Sequence, residues 1–122
     1  MTDINVAVET RYVEQESNPS EGRFVFAYTI TLTNRSRAAA QLLNRQWMIT
    51  DGNGEVREVR GPGVVGQQPR IPPGRDFRYT SGAVLPTPVG TMHGEYEFQD
   101  DAGARFIVPI PAFALVLPSM IH

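Results

Sequence analysis

Apolar and polar residues alternate with a period of two along most of this chain. Ile4, Val6, Val8, Thr10 and Tyr12 alternate with Asn5, Ala7, Glu9 and Arg11, which predicts a half-buried strand. Glu14 to Gly22 is polar, contains Pro19 and predicts a loop. Phe24, Phe26, Tyr28, Ile30 and Leu32 then share one face, with Val25, Ala27, Thr29, Thr31 and Thr33 on the other. Aromatic and β-branched residues make this the strongest strand signal. Arg35 to Ala40 predicts a short turn or a helical turn, and strand character resumes at Leu43 with Arg45, Trp47 and Ile49 on one side. Asp51-Gly52-Asn53-Gly54 predicts a hairpin turn, because Gly and Asn tolerate positive φ, and Glu55 to Arg60 pairs back.

Gly61 to Gly74 breaks the pattern. Eight of these fourteen residues are Gly or Pro, so a long loop is expected. Alternation returns at Phe77, Tyr79, Ser81, Ala83 and Leu85, with Gly82 a candidate bulge. Met92, Gly94, Tyr96 and Phe98 face one way, and His93, Glu95 and Glu97 the other. Asp100 to Gly103 turns the chain into a last strand carrying Phe106, Val108 and Ile110. Pro109 and Pro111 assign that strand to a sheet edge, because proline cannot donate to a ladder. The sum is seven or eight short strands and no helix. The expected fold is one all-β domain over residues 1–122, a sandwich of two antiparallel sheets in which Trp47 would suit the core of an immunoglobulin-like sandwich. Its expected core is Phe26, Tyr28, Trp47, Phe77, Tyr79, Tyr96 and Phe106.

Composition narrows the chemistry. With 41% apolar and 20% charged residues the chain is globular rather than disordered. Cysteine is absent, which removes disulfides, thiolate nucleophiles and Cys-ligated zinc. All eleven basic residues are arginine, so Schiff-base chemistry and a phosphate-loop lysine are excluded. A net charge of −2 without a basic block argues against a grip on nucleic acid. No apolar run reaches membrane-spanning length, and the N-terminus lacks signal-peptide character. A cytoplasmic protein without membrane insertion is expected.

Gly61-Pro62-Gly63-Val64-Val65-Gly66 matches the letters GxGxxG. A dinucleotide site needs that string between a strand and a helix, and Pro69, Pro72 and Pro73 leave no room for one. Glycine-rich turns can also cradle an anion with backbone N–H groups, here with Arg60 and Arg70 to assist. The favoured reading is that the glycines supply turn geometry. Val64 or Val65 is expected to face solvent and be available to a partner. His93, Glu95 and Glu97 share a strand face and are weak candidates for a divalent cation, with an exposed polar face the favoured reading. Catalysis has little support. The histidines are His93 and His122, and a Ser–His–Asp triad would have to bring Ser81 or another Ser to His93.

Longer strings carry a family resemblance. They are Trp47-x-Ile49-x-Asp51, Val59 through Pro69, Ile71-x-Pro73-Gly74, Phe77-x-Tyr79-x-Ser81, Pro88-x-Gly90-x-Met92-x-Gly94-x-Tyr96 and Ile110-Pro111-x-Phe113-x-Leu115. Their order and spacing resembles the ApaG family over nearly the whole chain. The resemblance implies a fibronectin-like sandwich used as an interaction module, as in eukaryotic F-box proteins that carry related domains. It also implies a link to cobalt resistance and magnesium efflux, and no catalytic residue or cofactor. The resulting expectation is a non-enzymatic binding module. Its expected partner is another protein or, in a homodimer, a second copy. An accessory role in cobalt or magnesium homeostasis is the alternative.

Overall fold

The computed structural model describes residues 3–120 and contains no α-helix among them. Strands β1 (Ile4–Tyr12), β2 (Phe24–Asn34) and β6 (Asp76–Leu85) form one antiparallel sheet in the order β1-β2-β6. Strands β3 (Ala40–Asp51), β4 (Val56–Pro62), β7 (Val89–Asp100) and β8 (Arg105–Val116) form the other, in the order β4-β3-β7-β8. The two-residue β5 (Arg70–Ile71) continues the line of β4 along β3. The two sheets make the expected sandwich. No helix among the described residues is long and apolar enough to cross a membrane.

Alternation positions the core. On β2 the side chains of Phe26, Tyr28, Ile30 and Leu32 are buried, while Thr29, Thr31 and Thr33 are not. Trp47 is 2% exposed and packs edge-on against Tyr28, Tyr96 and Phe113, with ring centroids 5.4, 6.3 and 5.8 Å away. Offset and edge contacts of this kind add to the burial of the rings themselves. Phe77 and Phe106 lie at the margin of the core, half-buried. The Tyr79 and Tyr96 hydroxyls are 2.6 Å apart. Burial pushes both phenols, and that of Tyr28, above the ordinary tyrosine value. Asn34 is the one fully buried polar side chain among the described residues. Its Nδ2 donates to the carbonyls of Ala38 and Ile71, each at 2.9 Å, which ties down the β2–β3 connection.

Several local expectations need correction. Gly82 is not a bulge: β2 and β6 pair without interruption through Ala27 and Gly82. One register shift falls between Leu42 and Asn44, leaving Leu43 unpaired on β7. The other falls where Met92 pairs Phe113 but Gly94 pairs Ile110, so Pro111 and Ala112 oppose His93 alone. A bulge on an edge strand is where proline is tolerated, and β8 therefore runs on past Pro111 to Val116. Gly61 to Gly74 is not all loop, because β4 extends to Pro62 and β5 takes up Arg70 and Ile71. Glu14–Glu16 and Pro19–Glu21 are short 3-10 turns.

Candidate functional site

The Leu43 bulge faces the glycine-rich segment and holds it. The Leu43 carbonyl, free of the β7 ladder, accepts Gly63 N–H at 2.8 Å and Gln68 Nε2 at 2.9 Å. Arg45 Nη1 donates to the carbonyls of Pro62 and Gly63 at 2.9 and 2.8 Å. Gly61 lets the guanidinium lie there, since a Cβ at that position would sit 3.0 Å from Arg45 Nη2. Gly63, at φ +62°, passes so close to Gln67 that a Cβ would lie 2.1 Å from its carbonyl oxygen. These contacts build a rigid excursion from β4 to β5.

At its tip Val64 and Gln67 exchange backbone hydrogen bonds of 2.8 and 2.9 Å. The two residues between them, Val65 and Gly66, have φ of 43° and 78°. Positive φ at both central positions is the arrangement of a type I′ turn, which favours Asn-Gly. Gly66 suits it. Val65 does not: a β-branched residue in the left-handed region is an outlier, worth about 1–3 kcal/mol of strain. The two valines also part company. Val64 is 1% exposed and belongs to the core, whereas Val65 is 51% exposed. Val64 is thereby corrected from a partner contact to an anchor, and Val65 alone presents an apolar surface.

The other candidates in this segment are engaged. Arg60 is paired with Glu58, and Arg70 makes a two-pronged bridge to Asp101 with its shorter contact at 2.6 Å. The Arg70 hydrogen bonds hold the Asp101 carboxyl below the usual carboxylate range. Glu58 is lowered by hydrogen bonds from Gln46 and then Arg60. The N–H groups of Gly63, Val64 and Gln67 are all bonded within the protein. Both arginines are thus turned to carboxylates, and these three amides serve the turn itself. No helix follows Gly66, so the GxGxxG letters lack the element that makes them a dinucleotide site.

His93, Glu95 and Glu97 do share the outward face of β7, but they do not converge. Alternate residues of a strand stand about 7 Å apart, and Glu97 is turned toward Asn44 Nδ2, at 2.7 Å, and Arg105. No group of three His, Asp or Glu side chains close enough to share a cation occurs among the described residues. Ser81 lines the inter-sheet side of β6 and His93 the outer face of the other sheet, so the two cannot form a triad. His122 lies outside the described residues.

What the fold does unite is Arg60 and Gly61 with Glu95 and Glu97. Register places Arg60, Gln46 and Glu95 in one row across β4, β3 and β7, and Pro62, Asn44, Glu97 and Ile107 in the next. Together with Arg45 they line a cavity of about 500 Å³ on the outer face of the larger sheet. Its groups are amides, guanidiniums and carboxylates, with Ile107, 52% exposed, as its apolar wall. The Glu95 carboxylate has no hydrogen bond or ion pair among the described residues. Asn44, Arg45, Gln46 and Ile107 were missed in the sequence. Asn44 and Gln46 look like ordinary strand residues. Ile107 was legible as an apolar residue of the wrong parity between Phe106 and Val108.

The fold and this surface define a class: a two-sheet antiparallel β-sandwich with a stiff turn beside a polar cavity. A family profile described as the ApaG domain matches residues 14–100. A protein ApaG of Pectobacterium carotovorum is 57% identical over 119 residues, covering 98% of this chain and 95% of that protein. One of Acidithiobacillus ferrooxidans is 54% identical over 121 residues, covering 99% and 95%. A crystal structure of a Bordetella pertussis protein, described there as ApaA, superposes with a TM-score of 0.94 at 51% identity. It covers 96% of this chain and 95% of that one. The chain belongs to the ApaG family.

Proposed function

We propose that this protein is a non-catalytic interaction module that binds another protein through the Val65 turn and the adjoining cavity. One observation carries the reading. Val65 holds an exposed, β-branched apolar side chain at a backbone position that Asn or Gly would occupy without strain. Strain kept at an exposed site points to a use for the side chain. The cavity supports the same reading, because its lining offers amide, guanidinium and carboxylate groups suited to hydrogen bonds and ion pairs with a protein surface. The stiffness of the turn favours binding, since a preorganised loop loses less entropy on association. A cytoplasmic setting goes with this reading.

The test is photo-crosslinking in cells from a photoreactive residue placed at position 65, with a second chain carrying it at the exposed Glu14 as control. A discrete adduct from position 65 that is absent from position 14 supports the module. Equal or no adducts from the two positions refute it.

A further inference from the structure

The two sheets differ in width. The smaller has three strands, and the larger has four positions, because β4 and β5 share one edge of β3. β1 packs against β8, so the shortfall falls at the opposite side, over β4. Exposure shows it. Trp47 and Ile49 of β3 are buried, but their partners on β4, Val59 and Arg57, are half-buried and exposed. Between β4 and β6 lies a cavity of about 290 Å³ whose lining includes Tyr28, Arg45, Trp47, Arg57, Val59 and Ser81. No carboxylate lines it, and neither Arg45 nor Arg57 has an ion-pair partner among the described residues.

The edge of β6 beside this cavity carries unpaired peptide groups. Val25 accepts from Val13 N–H at 2.8 Å and donates to Ser17 Oγ at 2.9 Å, so its peptide groups point away from β6. Val25 pairs with Val84, whose own groups consequently face the free edge. Arg57 Nη2 donates to the Val84 carbonyl there, at 3.3 Å. Alternation along the strand turns the peptide groups of Arg78, Thr80 and Gly82 the same way.

We propose that this edge accepts an extended segment of a partner protein. The segment pairs with β6 from Arg78 to Val84 as a fourth strand and sets an Asp or Glu side chain against Arg57 and Arg45. Strand addition supplies main-chain hydrogen bonds, and the inward side chains of the added strand supply specificity. Arg57 on the inner face of β4 and Arg45 beside it on β3 meet that strand without an ion-pair partner, so the complementary group is a carboxylate. On docking, the Val84 carbonyl passes from Arg57 to a peptide N–H, and the freed guanidinium turns to the acid. Asp51 and Glu55 line the neighbouring cavity beside Pro86. The carboxylate therefore sits at the level of Ser81 and Gly82 rather than at that end. This site faces the inside of the sandwich and shares with the Val65 turn only Arg45, whose Nη1 also holds the Pro62 and Gly63 carbonyls.

Random peptides of about ten residues, long enough to cover Arg78–Val84 at about 3.4 Å per residue, are displayed on phage and selected against the full chain. A selected peptide, acetylated and amidated, is then followed by NMR and amide hydrogen exchange. Expected are enriched sequences of alternating β-formers with one Asp or Glu at a fixed place, and slowed exchange at Thr80 and Gly82. Amidating the peptide acid, or Arg57→Gln, lowers affinity about tenfold, as loss of a charge-assisted bond does. Combining the two changes adds little more. Arg57 is exposed, so the variant's melt stays at wild type. The proposal is overturned by the absence of enrichment over an unrelated protein, by enriched peptides without a carboxylate, or by a footprint away from β6. Protection of the same amides that rises with protein concentration alone also overturns it, by giving the edge to a second copy.

Discussion

Replacing Val65 by Asn separates what the turn costs from what it does. Val65 stands at φ 43° and Gly66 at 78°, and Asn-Gly is the pair that such a turn prefers. Relief of β-branched strain returns about 1–3 kcal/mol. Against that, a valine that is 51% exposed gives up about half of its apolar burial, on the order of 1 kcal/mol. The net expectation for Val65→Asn is a gain of about 1 kcal/mol. At about 2.1 cal/mol/K per residue, 122 residues unfold with about 0.26 kcal/mol/K, so Tm rises by about 4 °C. Thermal and urea melts followed by circular dichroism read this directly. A variant less stable than wild type by more than about 0.5 kcal/mol, beyond the usual scatter of surface changes, refutes the strain argument. It would mean that the Val65 side chain earns its place by packing.

Trp47→Ala should cost about 3–5 kcal/mol in chemical denaturation, because the ring is 2% exposed and surrounded by three aromatic side chains. A loss under about 1 kcal/mol would remove it from the core. Gly94→Ala should destabilise by about 3 kcal/mol or more, since a Cβ would stand 1.9 Å from the Gln46 carbonyl oxygen. Gly66→Ala, with open space but φ +78°, should cost only about 1 kcal/mol. Equal losses for the two glycine variants would contradict this. Alkali should weaken the fold. Burial, the first cause, holds Tyr79 and Tyr96 above the ordinary value of 10.0, so they stay protonated in the folded state where the unfolded chain ionises. Their contribution is complete below about pH 10 and declines above it, by about 1.4 kcal/mol per pH unit for each group. Urea melts at pH 8 and pH 11 should show the decline, and Tyr79→Phe with Tyr96→Phe should reduce it; a flat profile would be inconsistent with their burial.

The sheets were legible because alternation on β1, β2 and β7 is enforced by burial of one face. The turn from Asp51 to Glu55 was legible because positive φ at Gly54 has a local residue signature. The bulges were not. Leu42-Leu43-Asn44 carries no glycine or proline to mark a register shift, whereas Gly82, which does, sits in regular ladder. Inside the glycine-rich segment alternation carries no information, so Val64 and Val65 could not be told apart before their backbone was known. Arg45 was read as one more residue beside Trp47 and Ile49. Its bonds to the Pro62 and Gly63 carbonyls depend on a crossing between β3 and β4 that no local pattern encodes. The cavity was invisible for the same reason, since Arg60 and Glu95 are neighbours only through Gln46.

The central claim is that the Val65 turn and the cavity beside it bind a protein partner while the core beneath them holds the fold. The direct measurement is a quantitative affinity pull-down that compares wild type with Val65→Ser combined with Ile107→Ser, alongside urea melts of both. Val64 is left unchanged, because a hydroxyl in its buried site would unfold the turn by an unpaired polar group. The account predicts a variant within about 1 kcal/mol of wild-type stability that no longer retains the proteins captured by wild type. Undiminished capture by a folded variant, or a binding loss that appears only together with unfolding, would contradict it.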